Sequence, residues 1–158
     1  MWRRLNRTTV TDTGCAPFTT MHVRTADFRV DYADIRRIRL EVFVDEQHVP
    51  EELELDDRDA ACTHVLAIDD AGTAVGTGRI DTDGKIGRVA VRAGARRTGV
   101  GLAMMDLLHQ VARERGLAEV WCHAQISALS FYRRLGYTPL GEVFLEAGIE
   151  HVEMRRRT

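Results

Sequence analysis

The stretch that decides the fold is VAVRAGARRTGVG, residues 89–101. It opens with apolar residues typical of a buried strand, and it then turns through a basic segment that carries glycines. A pattern of helical period follows, so this stretch marks a corner where a strand gives way to a helix. The first N–H groups of a helix lack internal partners and, with the helix dipole, attract anions. Because Arg96 and Arg97 add positive charge there, the corner predicts a phosphate or pyrophosphate site.

The composition excludes several classes of protein. The chain has 158 residues, 44% hydrophobic and 29% charged, as is typical of one globular domain. A formal net charge of −2 argues against a nucleic-acid partner. No apolar run approaches the roughly 20 residues of a membrane span, so no membrane partner is expected.

The cysteines are few and far apart. Cys15, Cys62 and Cys122 form no CxxC pair and no metal-ligand spacing, which predicts a reducing, cytoplasmic compartment and no bound metal. Cys62 and Cys122 lie in strand patterns and are interpreted as small buried residues.

The first 20 residues differ from the rest. They show no periodicity and no apolar core of a secretory signal, which predicts a flexible arm over 1–20 or an artefact of start-site choice. The patterned remainder predicts a single domain, residues 21–158.

Strand and helix patterns alternate along that domain, and hairpins are expected near the edges. The class is therefore mixed α/β (α+β). The apolar spacing predicts strands over 21–27, 63–70, 73–80, 85–91, 118–124, 139–146 and 149–155, and helices over 31–47, 99–115 and 127–136.

The glycine corner fits neither common nucleotide motif, since GxxxxGK[ST] and GxGxxG are both absent. It reads R-x-x-G-x-G over 96–101. Taken alone, this pattern is equally typical of a plain strand–turn–helix corner with solvated arginines.

Four stretches, in order and spacing, resemble the ElaA-type branch of the GCN5-related N-acetyltransferases (GNAT) from about residue 21 to the end. They are RLEVFVDEQHVP (39–50), GRVAVRAGARRTGVG (87–101), HAQISALSFYRRLGY (123–137) and EVFLEAGIEHVEM (142–154). The resemblance implies a mostly antiparallel sheet that is splayed between its fourth and fifth strands and flanked by about four helices. It also implies acetyl transfer from acetyl-CoA to a primary amine of a small molecule or peptide by direct attack.

Three alternatives stay open at this point. They are a non-catalytic acyl-CoA sensor, an acyl-homoserine-lactone-type synthase and a plain phosphate or nucleotide binder. Edge strands near the C-terminus leave a homodimer as one option.

The resemblance assigns the cofactor site by position. The main chain of Val89, Ala90 and Val91 would pair with the pantetheine arm. The pyrophosphate would be held by the loop of Arg96, Arg97, Thr98, Gly99, Val100 and Gly101. Gln125 would bond the pantetheine or nearby backbone, or else cap the following helix.

The resemblance also implies the chemistry. Tyr132 would act as the general acid for the leaving thiolate, while an amide near Ala90 or Val91 would polarise the thioester carbonyl. The general base is open: the candidates are Glu46, His64, His123 and His151, or there is no dedicated base.

Two further features receive interpretations. Arg39 is expected to pair with Glu46 or Asp45 rather than to meet substrate. The acidic run 51–59 is expected to be a solvated loop, with attraction of a cationic acceptor as the alternative.

Overall fold

The computed structural model describes residues 20–158. The predicted arm, apart from Thr20, and Cys15 lie outside this range. The strands are β1 (His22–Ala26), β2 (Thr63–Ile68), β3 (Ala74–Ile80), β4 (Ile86–Val91), β5 (Glu119–Gln125), β6 (Thr138–Glu146) and β7 (Ile149–Arg157). The α-helices are α1 (Tyr32–Arg39), α2 (Glu51–Glu54), α3 (Val100–Glu114) and α4 (Leu129–Arg134).

The first long helix has two parts. Ile35, Ile38 and Val42 follow helical spacing and are buried, which confirms the predicted apolar face. However, α1 ends at Arg39, and the chain continues as a wider π-helical segment, Leu40–Glu46. We call this the π segment. Apolar spacing did not predict the change, because it reports which face is buried and not the offset of the hydrogen bonds.

The strands form two antiparallel sheets, one in the order β1-β2-β3-β4 and the other in the order β5-β7-β6. Within residues 20–158 the sheets meet at one parallel bridge between Lys85 and Trp121, where the Trp121 N–H donates to Gly84 O at 3.1 Å. β4 and β5 therefore start side by side and then separate. The predicted splay between the fourth and fifth strands is confirmed.

A glycine lets the two strands meet at this vertex. Gly84 has a φ of 87°, which side chains other than hydrogen rarely tolerate. A Cβ there would lie 2.8 Å from Glu119 O of the opposite strand, so the close approach requires the glycine.

β4 carries a bulge halfway along the groove that the splay creates. Gly87 pairs with Arg79 and Ala90 pairs with Thr77, so that Arg88 and Val89 together face one residue of β3. Arg88 has a φ of 53°, a conformation uncommon outside glycine. The extra residue bends the strand and interrupts the ladder.

The main core lies between α3 and both sheets. Met104, Met105 and Leu108 of α3 are fully buried, and Gly76 of β3 allows the Met104 side chain to approach closely, since a Cβ there would lie 2.9 Å from its sulfur. No helix within residues 20–158 combines the length and the apolar character needed to cross a membrane.

β6 forms the outer edge of the second sheet. It exposes Leu140, Val143 and Leu145. Pairing of this edge with a second copy of the chain remains a prediction.

Candidate active site

A groove occupies the splay, with a cavity volume of about 640 Å³. Its walls are β4 on one side and β5 with the β6–β7 turn on the other, and the end of the π segment also lines it. A concave site where two sheets part is a typical location for a ligand.

The β4 wall offers unpaired main chain. β4 is the last strand of its sheet, so the edge away from β3 has free N–H and C=O groups. Arg92 N–H donates to Val75 O at 2.9 Å. Since main-chain groups alternate in direction along a strand, those of Ala90 point to β3 and those of Val91 point into the groove. Of the two amides expected to polarise the thioester, only that of Val91 therefore faces the groove.

The loop after β4 has the conformation expected of a glycine corner. Arg97 and Gly99 have φ values of 62° and 87°, and Gly99 is the residue that precedes α3. The Thr98 hydroxyl donates to Ala95 O at 2.6 Å. A Cβ on Gly101 would lie 3.3 Å from the Phe131 ring, so this glycine lets α3 pack closely against α4.

Of the loop residues, only Arg96 lines the groove. Thr98 and Val100 line a separate cavity of about 370 Å³. Arg96 donates from Nε to Val91 O at 2.8 Å and from Nη2 to Glu46 Oε2 at 2.6 Å. Glu46 is thus ion-paired to the loop.

A second contact joins Gln47, the residue that follows the π segment, to the opposite wall. The Gln125 side-chain amide donates to Gln47 Oε1 at 2.8 Å. Gln125 makes no capping hydrogen bond to the helical turn that follows it, so the capping interpretation was wrong. Glu46 and Gln47 therefore reach opposite walls of the groove.

Tyr132 of α4 lines the groove. It is 8% exposed, and its ring packs edge-on against Phe131 and Tyr137. Among residues 20–158 its phenol oxygen makes no hydrogen bond. Burial raises the pKa of Tyr132, with a smaller contribution from Cys122. The phenol therefore stays protonated at neutral pH and keeps its O–H free to donate.

Two of the predicted base candidates meet at one carboxylate. Glu146 Oε1 lies 3.2 Å from His123 Nδ1, and Glu146 Oε2 lies 3.9 Å from His151 Nε2. Lys85 Nζ lies 3.5 Å from His123 Nδ1. All four side chains line the groove, and we call them the histidine–carboxylate cluster.

The carboxylate of this cluster is kept ionised. Burial alone would raise the pKa of Glu146, but the hydrogen bond and charge of His123, with Lys85 and His151, lower it below its ordinary value. The side chain is 48% exposed, so it remains within reach of solvent.

His64 lies elsewhere. It is 1% exposed, its Nε2 lies 2.8 Å from Asp59 O, and its ring stacks on Phe28 at 4.6 Å between centroids. Burial lowers the pKa of His64. This residue does not line the groove and is not brought near the other base candidates.

Beneath the β4 wall lies a second polar group, the arginine–carboxylate network of Arg39, Glu54, Asp56, Asp59 and Arg79. Arg39 donates to Glu54 Oε1 and, at 2.8 Å, to Asp59 Oδ1. Arg79 bonds Asp59 Oδ1 at 2.5 Å and both oxygens of Asp56 at 2.7 Å. Hydrogen bonds from Arg79 lower the pKa of Asp56 to about 2.

The network corrects two sequence-based interpretations. Arg39 pairs with Glu54 and Asp59, so the expected pairing with Glu46 or Asp45 was wrong. The run 51–59 is not a wholly solvated loop, because Glu54 and Asp59 are 1% and 2% exposed. Both corrections arise from contacts between segments that are distant in sequence, which spacing does not report.

Neither Cys62 nor Cys122 is placed to ionise readily. Burial raises the pKa of Cys62 to about 11 and that of Cys122 to about 12. Cys122 is buried as predicted, while Cys62 is only partly so. Within the part of the chain described, no group of three or more His, Cys, Asp or Glu residues has an arrangement that could hold a metal ion.

Glu146, Lys85 and the bulge residue Arg88 were not predicted from the sequence. A signal for Glu146 was present: the two-residue turn after it fixes the hairpin register, pairing Phe144 with His151 and Glu146 with Ile149. Alternation then puts Glu146, Phe144 and His151 on one face. Gly87 is a weak signal for the bulge.

Comparison with known proteins agrees with this geometry. A family model described as "Acetyltransferase (GNAT) domain" matches residues 19–158. The chain belongs to the GNAT family. This GNAT chain is 38% identical over 123 residues to the uncharacterized N-acetyltransferase YjcF of Bacillus subtilis, a match that covers 75% of this chain and 87% of the relative.

Two solved structures share the fold of this GNAT protein. An acyl-CoA N-acyltransferase from Pseudomonas aeruginosa superposes with a TM-score of 0.75 at 30% identity, covering 87% of this chain and 99% of that one. Escherichia coli ElaA superposes with a TM-score of 0.77 at 25% identity, covering 86% and 99%. The predicted family, its ElaA-like branch and the fold are confirmed. The chain is an acyltransferase of the N-acetyl class, from a family that normally uses an acyl-CoA.

Proposed function

We propose that this GNAT protein transfers an acetyl group from acetyl-CoA to a primary amine by direct attack in the groove. The observation that carries the proposal is the position of the unbonded Tyr132 phenol in the same groove as the free edge of β4. One supplies a proton donor, and the other supplies strand-like pairing for an extended ligand.

The β4 edge would hold the pantetheine arm as an added strand does. Val91 presents both its N–H and C=O to the groove, and Val89 lies in the bulge where the ladder is interrupted. Arg96 Nε occupies Val91 O, so binding of the arm would exchange one donor for another. The amides that begin α3 would hold the pyrophosphate.

Tyr132 would stabilise the departing sulfur. A thiol has an ordinary pKa near 8.5, so the thiolate is a fair leaving group, and a phenol that remains protonated would donate to it as charge develops. The raised pKa values of Cys62 and Cys122, the two cysteines within residues 20–158, support direct attack rather than an acyl intermediate on either thiol.

His123 is the base that the geometry favours. It lies across the groove from β4, with Glu146 as a positioning carboxylate 3.2 Å from its Nδ1. His151 is less available, because its Nδ1 is 2.7 Å from Ile149 O and its side chain is 9% exposed. The other two candidates are less suitable as bases. Glu46 is ion-paired with Arg96, and His64 does not line the groove.

A panel of primary amines with acetyl-CoA, followed by release of free thiol, tests the activity. We expect Tyr132→Phe to lower kcat by about 10²–10⁴-fold while the Kd for CoA, measured by calorimetry, stays unchanged. Tyr137→Phe is the matched control. It removes a hydroxyl that does not line the groove and that lies 2.8 Å from His109 Nε2.

The same assay contains the results that would contradict the proposal. If no amine, peptide or polyamine releases CoA above background, acetyl transfer to amines is wrong. If the kcat of Tyr132→Phe equals that of the wild type, Tyr132 is not the general acid for the leaving thiolate. A higher kcat/KM with a longer acyl-CoA than with acetyl-CoA would show that acetyl-CoA is not the preferred acyl donor.

A further inference from the structure

Lys85 has an unusual place in this chain. The sequence has 22 lysine and arginine residues, and Lys85 is the only lysine among them. It lies at the vertex of the splay, where its main chain bridges to Trp121, and its half-buried side chain lines the groove together with Tyr132 and His123. The only side-chain primary amine of the protein is therefore inside the candidate active site.

The amine is held without a carboxylate partner. Lys85 Nζ lies 4.9 Å from the centre of the Trp121 ring and 3.5 Å from His123 Nδ1. Within residues 20–158 no carboxylate oxygen lies within 4.0 Å of it, whereas the groove arginines Arg88 and Arg96 are both ion-paired. A cation–π contact is worth about 0.5–1 kcal/mol at an exposed site and about 2 kcal/mol when desolvated, so this half-buried amine can leave its position at a modest cost.

The strand surface beside Lys85 is open in the direction of the β4 bulge. Residues two apart on a strand share a face, so Gly87 lies next to Lys85 on the groove side. A Cβ at Gly87 would meet nothing within 4 Å. At a rise of about 3.3 Å per residue, Gly87 is roughly 7 Å along the strand, and a lysine stem extends over a similar length. The space toward the bulge is thus free for the Lys85 side chain.

We propose that Lys85 is an internal acceptor, and that the protein acetylates its own Lys85 when acetyl-CoA occupies the groove. This rests on the proposed function, since it uses the same donor, the same base and the same acid. It adds that the first amine available to a bound thioester belongs to the enzyme itself.

The step balances as an ordinary aminolysis. Because His123 Nδ1–H donates to Glu146, the proton acceptor is His123 Nε2. As the Lys85 side chain moves toward the bulge, Nε2 takes one proton from its ammonium and passes it to solvent, and the neutral nitrogen attacks the thioester carbonyl. The C–N bond forms and the C–S bond breaks, with the electron pair leaving on sulfur. Tyr132 donates its proton to that thiolate, and the second proton from nitrogen restores the phenol. The products are Nε-acetyl-Lys85 and CoA thiol.

Intact-mass measurement of the full chain after incubation with acetyl-CoA tests this directly. We expect the wild type to gain one acetyl group that peptide mapping assigns to Lys85, and Lys85→Arg, which keeps the charge, to gain none there. The first-order rate should not depend on protein concentration, because donor and acceptor share one groove. Tyr132→Phe should slow this reaction by the same factor as turnover of a small amine.

Gly87→Val offers a second variant, since a branched side chain fills the open face beside Lys85. We expect it to slow Lys85 acetylation more strongly than it slows turnover of methylamine. The urea-unfolded chain gives the rate of non-enzymatic acetylation.

Each result is decisive. Turnover of a small amine with Lys85 unmodified would overturn the internal acceptor and leave the proposed function standing. Absence of both reactions would overturn the proposed function. Equal labelling of native, Tyr132→Phe and unfolded chains would show that the acetylation of Lys85 is non-enzymatic. A rate constant proportional to protein concentration would show that one molecule acetylates another.

Discussion

Two polar groups border the groove, and they differ in how their charges are satisfied. In the arginine–carboxylate network, Arg39 and Glu54 are each 1% exposed, and the arginines make short, multiple hydrogen bonds. In the histidine–carboxylate cluster, Glu146 is 48% exposed, and its contacts to His123 and His151 are 3.2 and 3.9 Å. The ion pairs of Arg39 in the first group are closed to solvent, whereas the carboxylate of the second group is within reach of solvent and of a ligand in the groove. Burial thus separates charges that hold the shape of the groove from charges available for chemistry in it.

The strongest test of this division removes one charge from the buried side. Arg39→Met leaves Glu54 and Asp59 without their shared partner, and we expect a loss of about 3–5 kcal/mol in unfolding free energy, as for other broken buried pairs. Arg36→Met is the control on the same helix. Its pair with Glu51 is 2.6 Å long but solvent-exposed, so the loss should be below about 1 kcal/mol. Equal losses, measured by urea unfolding, would remove the distinction.

The complementary change is made on the exposed side. Glu146→Gln keeps the shape but weakens the orientation of His123, and we expect kcat to fall roughly tenfold with stability changed by less than about 0.5 kcal/mol. KM for the amine should change less than kcat, because Glu146 contacts His123 and acts through its orientation. Glu142→Gln, at an exposed position on the same strand, should alter neither. A stability loss without a rate effect would place Glu146 among the structural charges.

The smallest expected effect is the change in unfolding free energy with pH that arises from His64, which lies beside the arginine–carboxylate network. Burial lowers the pKa of His64 below its ordinary value near 6.5, so the unfolded chain binds more protons than the native one just below that pH. Its contribution to stability is present above about pH 6.5 and is lost as pH falls through the native pKa. His109, with a pKa lowered by burial to about 4, acts in the same direction.

Urea unfolding at about pH 7 and about pH 5 measures this loss of stability. We expect His64→Asn to reduce the difference between the two pH values, and His22→Asn, at an exposed position, to leave it unchanged. If His64→Asn loses as much stability between about pH 7 and about pH 5 as the wild type, His64 does not contribute to the pH dependence of unfolding.

The sequence was informative wherever a short segment determines its own structure. The corner 89–101, the turn into α3 and the helix that carries Tyr132 follow from local glycines, period and motif, and all were predicted within a few residues. The strands predicted over 139–146 and 149–155 leave a two-residue turn between them, and in the structure both of its residues, Ala147 and Gly148, have positive φ.

What the sequence did not reveal depends on contacts between distant segments. Arg39 has charged neighbours in sequence at Glu41 and Asp45, and only the folded chain shows that Glu54 and Asp59 are nearer. The bulge at Arg88 likewise depends on register against β3. Glu146 could have been found from hairpin register, but its meeting with His123 requires β5 to lie beside β7.

Gly84 sets the width of the groove at its narrow end. Any larger residue there would collide with Glu119 O and push the strands apart where they are fastened by a single amide. The point at which β4 and β5 part is therefore fixed by the one residue that has no side chain to separate them, and the groove begins where that contact ends.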